Sequence, residues 1–177
     1  MNPTVSNPPG RASAPVIYVA KNPWSADRPK TLVVCCSDGR LQESIDEFLS
    51  AYLDIVDYDR IYMPGGPGAL SEVGCQFTRT HQFRNDLQFL FSAHSFGHIV
   101  LIFHGSAVDG PEHSVCAHYR KLMPGRSYYE IVARHEEDRQ NVLQFLHGLS
   151  PELEIHSFRA ETTADKHVQF LDLTPGG

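Results

Sequence analysis

Apolar and polar positions along this chain follow two periods in turn, and their order predicts the fold. Thr31 to Cys36 is an unbroken apolar run rich in β-branched residues, the pattern of a strand buried on both faces. From Leu41 to Tyr52, the residues Leu41, Ile45, Phe48, Leu49 and Tyr52 recur at helical spacing and predict an amphipathic helix. Arg60 to Met63 predicts a second strand, stopped by Pro64-Gly65-Gly66-Pro67-Gly68. Thr80 to Ala93 predicts a helix with Phe83, Leu87, Leu90 and Phe91 on one face, and Phe89 also reads as core or interface. His98 to His104 is the clearest strand, apolar between its two terminal histidines. A short helix is expected from about His113. Ser127 and Glu130 form a capping box that opens a long helix reaching Leu149, and Ser150-Pro151 ends it. Leu153 to Arg159 and His167 to Leu173 predict the last two strands, and Val16 to Val19 reads as a short strand or a clip onto the body.

Strands separated by helices imply an α/β fold, with a mostly parallel central sheet flanked by helices. The length of 177 residues suits one domain over residues 16–177, preceded by a Pro-, Ser-, Asn- and Gly-rich flexible tail at 1–15. The polar middle of the long helix, Arg134 to Asn141 with His135, Glu136 and Glu137, reads as a solvated face, as does His118.

Charge and composition narrow the function classes. A net charge of −6 argues against nucleic acid or an anionic membrane surface as a partner. No apolar run is long enough to span a bilayer, and residues 1–15 carry neither the basic nor the apolar region of a signal peptide. Cys35, Cys36, Cys75 and Cys116 are therefore expected to be thiols, ligands or core residues in a reducing cytoplasm.

The sharpest chemical signal is Cys36-x-Asp38-x-Arg40 at the end of the first strand. Open α/β sheets bind their ligands at the carboxyl ends of strands. If the first and third strands are neighbours, Cys36 and His104 meet at one rim, and Cys116 follows a few residues later at the start of a helix, where partial positive charge favours thiolate. Two thiolates and one imidazole make a plausible zinc site with a fourth position open. Arg40 can hold Asp38 ionised through a bidentate pair, and the carboxylate can then orient water or occupy the open position. Cys35 points to the opposite face as a core thiol, and Cys75 reads as a buried helix residue.

Cys36-Ser37-Asp38-Gly39-Arg40, together with a His-x-x-Cys element after the third strand, resembles the β-class carbonic anhydrases, most nearly the shorter bacterial carbonic-anhydrase-like proteins. The resemblance extends through Pro64-Gly65-Gly66 and His98 to His104, into the helix and strand spanning His135 to Arg159. It implies Zn2+ on Cys36, a histidine and Cys116, with Asp38 and Arg40 as the dyad that gates the fourth ligand. It implies reversible hydration of CO2 to bicarbonate by hydroxide generated at zinc, and a homodimer or higher homo-oligomer. The proline-rich N-terminus does not read as the helical arm by which members of that family embrace a partner.

The second half of the motif departs from the family pattern. Three positions after His104 stands Ala107, and the chain then offers a second histidine at the right spacing, in His113-Ser114-Val115-Cys116. Strand register favours His104 as ligand; local spacing favours His113. If both bind, the site is closed and structural, and the protein is a non-catalytic, zinc-stabilised relative. Val115 stands where the family usually has a small polar residue, which bears on substrate handling. A further alternative is hydrolysis of carbonyl sulfide or carbon disulfide on the same scaffold, which only the substrate channel separates from CO2 hydration.

Overall fold

A computed structural model describes residues 16–21, 23, 25–73 and 77–174; the expectations for the 1–15 tail and for Cys75 lie outside them. Thr31–Cys36 is buried at every position and forms β1, near the middle of the sheet. β2 (Asp59–Met63) lies on one side of it and β3 (His98–Ser106) on the other, both parallel to it. β4 (Glu154–Thr162) runs parallel to β3, and β5 (Val168–Asp172) closes the far edge antiparallel to β4. The result is one mixed five-stranded sheet in the order β2-β1-β3-β4-β5, flanked by helices.

Parallel neighbours need long crossovers, and here helices supply them. α1 (Gln42–Ala51) joins β1 to β2, and α2 (Phe77–Ala93) joins β2 to β3. α3 (Ala117–Leu122) and α4 (Tyr128–Leu149) join β3 to β4. Alternation along the strands divides the core into two layers. Leu32, Val34, Leu101 and Phe103 face Leu87 of α2 and Val142 and Leu146 of α4. Val33, Cys35, Val100, Ile102 and Phe158 face Ile45 and Leu49 of α1, with Tyr119 and Ile131. Cys35 is thus a core thiol, and burial pushes it up to about 12. Phe48 of α1 closes this layer over β5, stacked on Phe170 at 4.1 Å and edge-on to Phe158 at 4.9 Å.

Several boundaries differ from the apolar pattern for identifiable reasons. β3 and β4 run on to Ser106 and Thr162, because Gly105 and Ser106 pair in register with Glu161 and Thr162; the ladder carries polar residues that hydropathy alone would end. The short helix begins at Ala117 rather than near His113, because Ser106 Oγ donates to the His113 carbonyl at 3.1 Å and holds the intervening chain as a loop. Val16–Val19 forms no strand and is exposed. Phe83 and Phe91 pack against the core, whereas Phe89 is exposed.

The largest correction falls on α4. Ser127 and Glu130 make the expected capping box. Its polar middle is a solvated face only in part: Glu136 and Glu137 are exposed, whereas His135, Asp138 and Arg139 are buried. Asp138 is held from both sides, by the Tyr119 hydroxyl at 2.8 Å and by Arg134 Nε at 2.9 Å. Arg139 forks onto Glu136 at 2.7 and 2.8 Å. Burial of the Asp138 carboxylate is tolerable because it is paired, whereas both ring nitrogens of His135 lack partners among the described residues. Among the described residues, no helix is long and apolar enough to cross a membrane.

Candidate metal centre

Three separate pieces of backbone deliver the site. β1 ends on Cys36. β3 carries His104 one strand over, two residues before its own end. The loop after β3 then folds back and presents Cys116 as the N-cap of α3. One ligand atom from each of Cys36, His104 and Cys116 lies within 4.8 Å of the others, and all three residues are buried. His113, the fourth candidate ligand, is exposed and does not join them. The structure therefore brings together a Cys2His set and leaves the second histidine outside it.

The donor set fits a metal ion. Cys36 Sγ and Cys116 Sγ are 3.9 Å apart, and both cysteines are free thiols. Two sulfurs each about 2.3 Å from a tetrahedral ion stand roughly 3.8 Å apart. His104 Nδ1 is buried with no hydrogen-bond partner among the described residues, a costly arrangement for a polar atom.

Electrostatics sorts the two thiols. The contact with Cys116 draws the proton affinity of the Cys36 thiol well down, aided by His104 and by the backbone amides of Gly65 and Asp38. Cys116 is pushed up correspondingly, by the same contact and by burial. The start of α3 would by itself favour thiolate at Cys116; the donors around Cys36 outweigh that effect across a helix of only six residues. A metal ion taking both sulfurs displaces the remaining proton.

Asp38 and Arg40 stand beside this group. Asp38 caps the 3-10 turn Gly39–Leu41 by accepting from the Arg40 amide at 3.1 Å. The Arg40 guanidinium donates to both carboxylate oxygens, through Nε to Oδ1 at 2.9 Å and through Nη2 to Oδ2. That guanidinium holds the Asp38 carboxyl at about 2, so Asp38 is an anion at neutral pH. The aspartate side chain is 17% exposed and the arginine 73%, so Arg40 shields the carboxylate from the solvent side.

A cleft of about 260 Å³ joins the dyad to the metal-binding group, lined by Asp38, Arg40, Leu41, His104, Val115, Thr162, Lys166 and Val168. Thr162, Lys166 and Val168 carry no signal in the sequence, where their stretch reads only as a strand end, a polar turn and a strand start. The turn Pro64–Gly68 closes the inner side. Gly65 and Gly66 have φ of +98° and +55°, a conformation that favours glycine. A Cβ on Gly66 would lie 3.0 Å from the Cys36 nitrogen and 3.1 Å from the Ile102 carbonyl oxygen. His118 packs against this turn, half-buried rather than solvated, because Arg79 Nη1 lies 3.3 Å from its Nδ1; burial and that guanidinium push it down to about 4.

Fold and site together define an α/β protein whose sheet rim carries a buried Cys-His-Cys group able to hold a metal ion. No protein-family model matches the chain, and no curated protein does.

Proposed function

We propose that this chain is a zinc-dependent carbonic anhydrase with a β-class-like fold, catalysing the reversible hydration of CO2 to bicarbonate. One observation carries the reading: Cys36, His104 and Cys116 converge as three ligands, with a guanidinium-held carboxylate in the adjoining cleft. Two sulfurs and one imidazole suit Zn2+ among the common divalent ions, and three protein ligands match the catalytic rather than the structural kind of zinc site. The ion would supply Lewis acidity, bringing the pKa of water from about 16 to near 7.

The chain's own residues do the rest. Asp38, ionised throughout the neutral range, accepts a hydrogen bond from the attacking water and so orients its lone pair toward the carbon. Arg40 keeps Asp38 ionised and aimed. Leu41, Val115 and Val168 give the cleft apolar walls suited to an uncharged, apolar substrate. Lys166 adds a positive charge for the anionic product. The reading carries with it a homodimer or higher homo-oligomer in the cytoplasm; Val16, Ile17, Tyr18 and Val19 are exposed apolar surface that a second copy would cover.

The test is stopped-flow CO2 hydration by the zinc-loaded protein, with Cys36→Ala alongside. Turnover by the wild type, lost in the variant together with zinc, is the expected result. Full activity in Cys36→Ala, or none in the zinc-loaded wild type, overturns the reading. Hydrolysis of carbonyl sulfide or carbon disulfide in place of CO2 hydration would keep the site and change the substrate.

A further inference from the structure

A second set of metal-binding side chains stands at the opposite rim of the sheet. β3 starts on His98 and β4 on Glu154, and the strand register sets these two residues side by side. His156 lies two positions along β4, where alternation returns its side chain to the Glu154 face. The Glu154 carboxylate bridges the two imidazoles, with Oε2 3.0 Å from His98 Nδ1 and Oε1 2.9 Å from His156 Nε2. One ligand atom from each residue lies within 4.8 Å of the others. The side chains are 49%, 58% and 35% exposed for His98, Glu154 and His156. At about 3.3 Å per residue, the run from His98 to His104 separates this group from the thiol site by roughly 20 Å.

A surface ion pair of this kind stabilises a fold very little. What distinguishes the trio is its donor set and its scaffold. Two imidazoles and one carboxylate are the His2Glu set of open zinc sites. Imidazole nitrogens select zinc, copper or nickel over magnesium and calcium. All three residues sit on paired strands, so the ladder fixes their backbones rather than a loop. We propose that His98, Glu154 and His156 form a second, solvent-facing site for a divalent transition-metal ion of the zinc class. His98 and Glu154 are exposed and His156 is half-buried, so the ion exchanges with solution and its remaining coordination positions face solvent. None of this depends on the carbonic anhydrase reading.

The experiment is a zinc titration of the full chain. Calorimetry gives the number of equivalents, and histidine side-chain NMR shows where each goes. The comparison is with His98→Gln/His156→Gln, at one exposed and one half-buried position, with circular dichroism confirming the fold. The wild type should take up one equivalent more than the double variant, and that equivalent should shift the His98 and His156 resonances. Glu154→Gln, which keeps the shape of the bridge, should weaken the same step. His113→Gln/His167→Gln should leave it unchanged. Equal uptake by wild type and double variant overturns the proposal. So does an extra equivalent that moves other histidines while His98 and His156 stay still. Because the readout is a difference of one equivalent at named resonances, it holds whether or not the thiol site loads.

Discussion

Cys36 Sγ and Cys116 Sγ stand 3.9 Å apart, although 80 positions separate them in the chain. Each reaches that place by a different route. Cys36 is carried by the end of a buried strand, and Cys116 by a loop tethered through the bond from Ser106 to the His113 carbonyl. That spacing suits two sulfurs sharing one tetrahedral ion.

The first consequence concerns stability. An ion that binds only the folded chain stabilises it by about 4 kcal/mol when present at roughly a thousand times its Kd. A chelator should therefore lower the melting temperature of the His98→Gln/His156→Gln protein, which keeps only the thiol site, and leave the same protein carrying Cys116→Ser almost unmoved. Metal content on the same samples should fall from near one equivalent at the thiol site to near zero in the variant. A chelator effect retained in Cys116→Ser would show that Cys116 is not a ligand.

Asp38→Asn separates orientation from metal binding. The amide keeps the size of the side chain and removes its charge, and Asp38 stands outside the Cys-His-Cys group. Zinc content should hold while CO2 hydration falls by about a hundredfold, the ordinary scale for loss of a positioned proton-accepting group. Loss of zinc in this variant would instead make Asp38 a ligand.

Gly66→Ala tests the inner wall. The new Cβ would press on the backbone of β1 and β3 at 3.0 and 3.1 Å, and the residue would sit at a φ of +55°. Backbone atoms cannot swing aside as a side chain can. Overpacking of this kind costs about 1–3 kcal/mol, and positive φ adds to it. Urea denaturation should show a lower midpoint with an unchanged slope; an unchanged midpoint would mean that the turn yields easily.

His135 sets an acid limit on the fold. Burial, helped by the Arg159 charge, pushes its imidazole down to about 3, and both ring nitrogens lack partners among the described residues. An unfolded histidine titrates near 6.5, and a tenfold difference in proton affinity between two states is worth about 1.4 kcal/mol. Above that pH the group is neutral in both states and its titration contributes nothing to the pH dependence. As pH falls from about 6.5 toward 3, the unfolded chain takes up a proton that the folded chain refuses, so stability is lost in that window. Between pH 8 and 4.5, His135 alone should remove roughly 3 kcal/mol, and His135→Leu should flatten that part of the profile. Equal slopes in wild type and variant would rule out the contribution.

Local periodicity made much of this molecule legible. β1, β3, α1 and α4 follow from runs and repeats within a few residues, because burial of a strand or a helix face is written at neighbouring positions. The capping box at Ser127 and the bidentate pair of Asp38 and Arg40 were legible for the same reason, since each joins residues two or three positions apart.

What the tertiary structure alone decided is non-local. His104 and His113 both suit a ligand role on sequence grounds; the register of β3 against β1 and the folding of the following loop put the first beside Cys36 and the second in solvent. α4 is polar between Arg134 and Asn141 by any local measure, yet Tyr119 reaches across from α3 to Asp138, and His135, Asp138 and Arg139 are buried while Glu136 and Glu137 stay exposed. The antiparallel direction of β5 and the bridge of His98 and His156 by Glu154 exist only once strands are paired. A residue's neighbours along the chain determine its conformation, but its charge state and ligands depend on groups that only pairing and packing bring within reach.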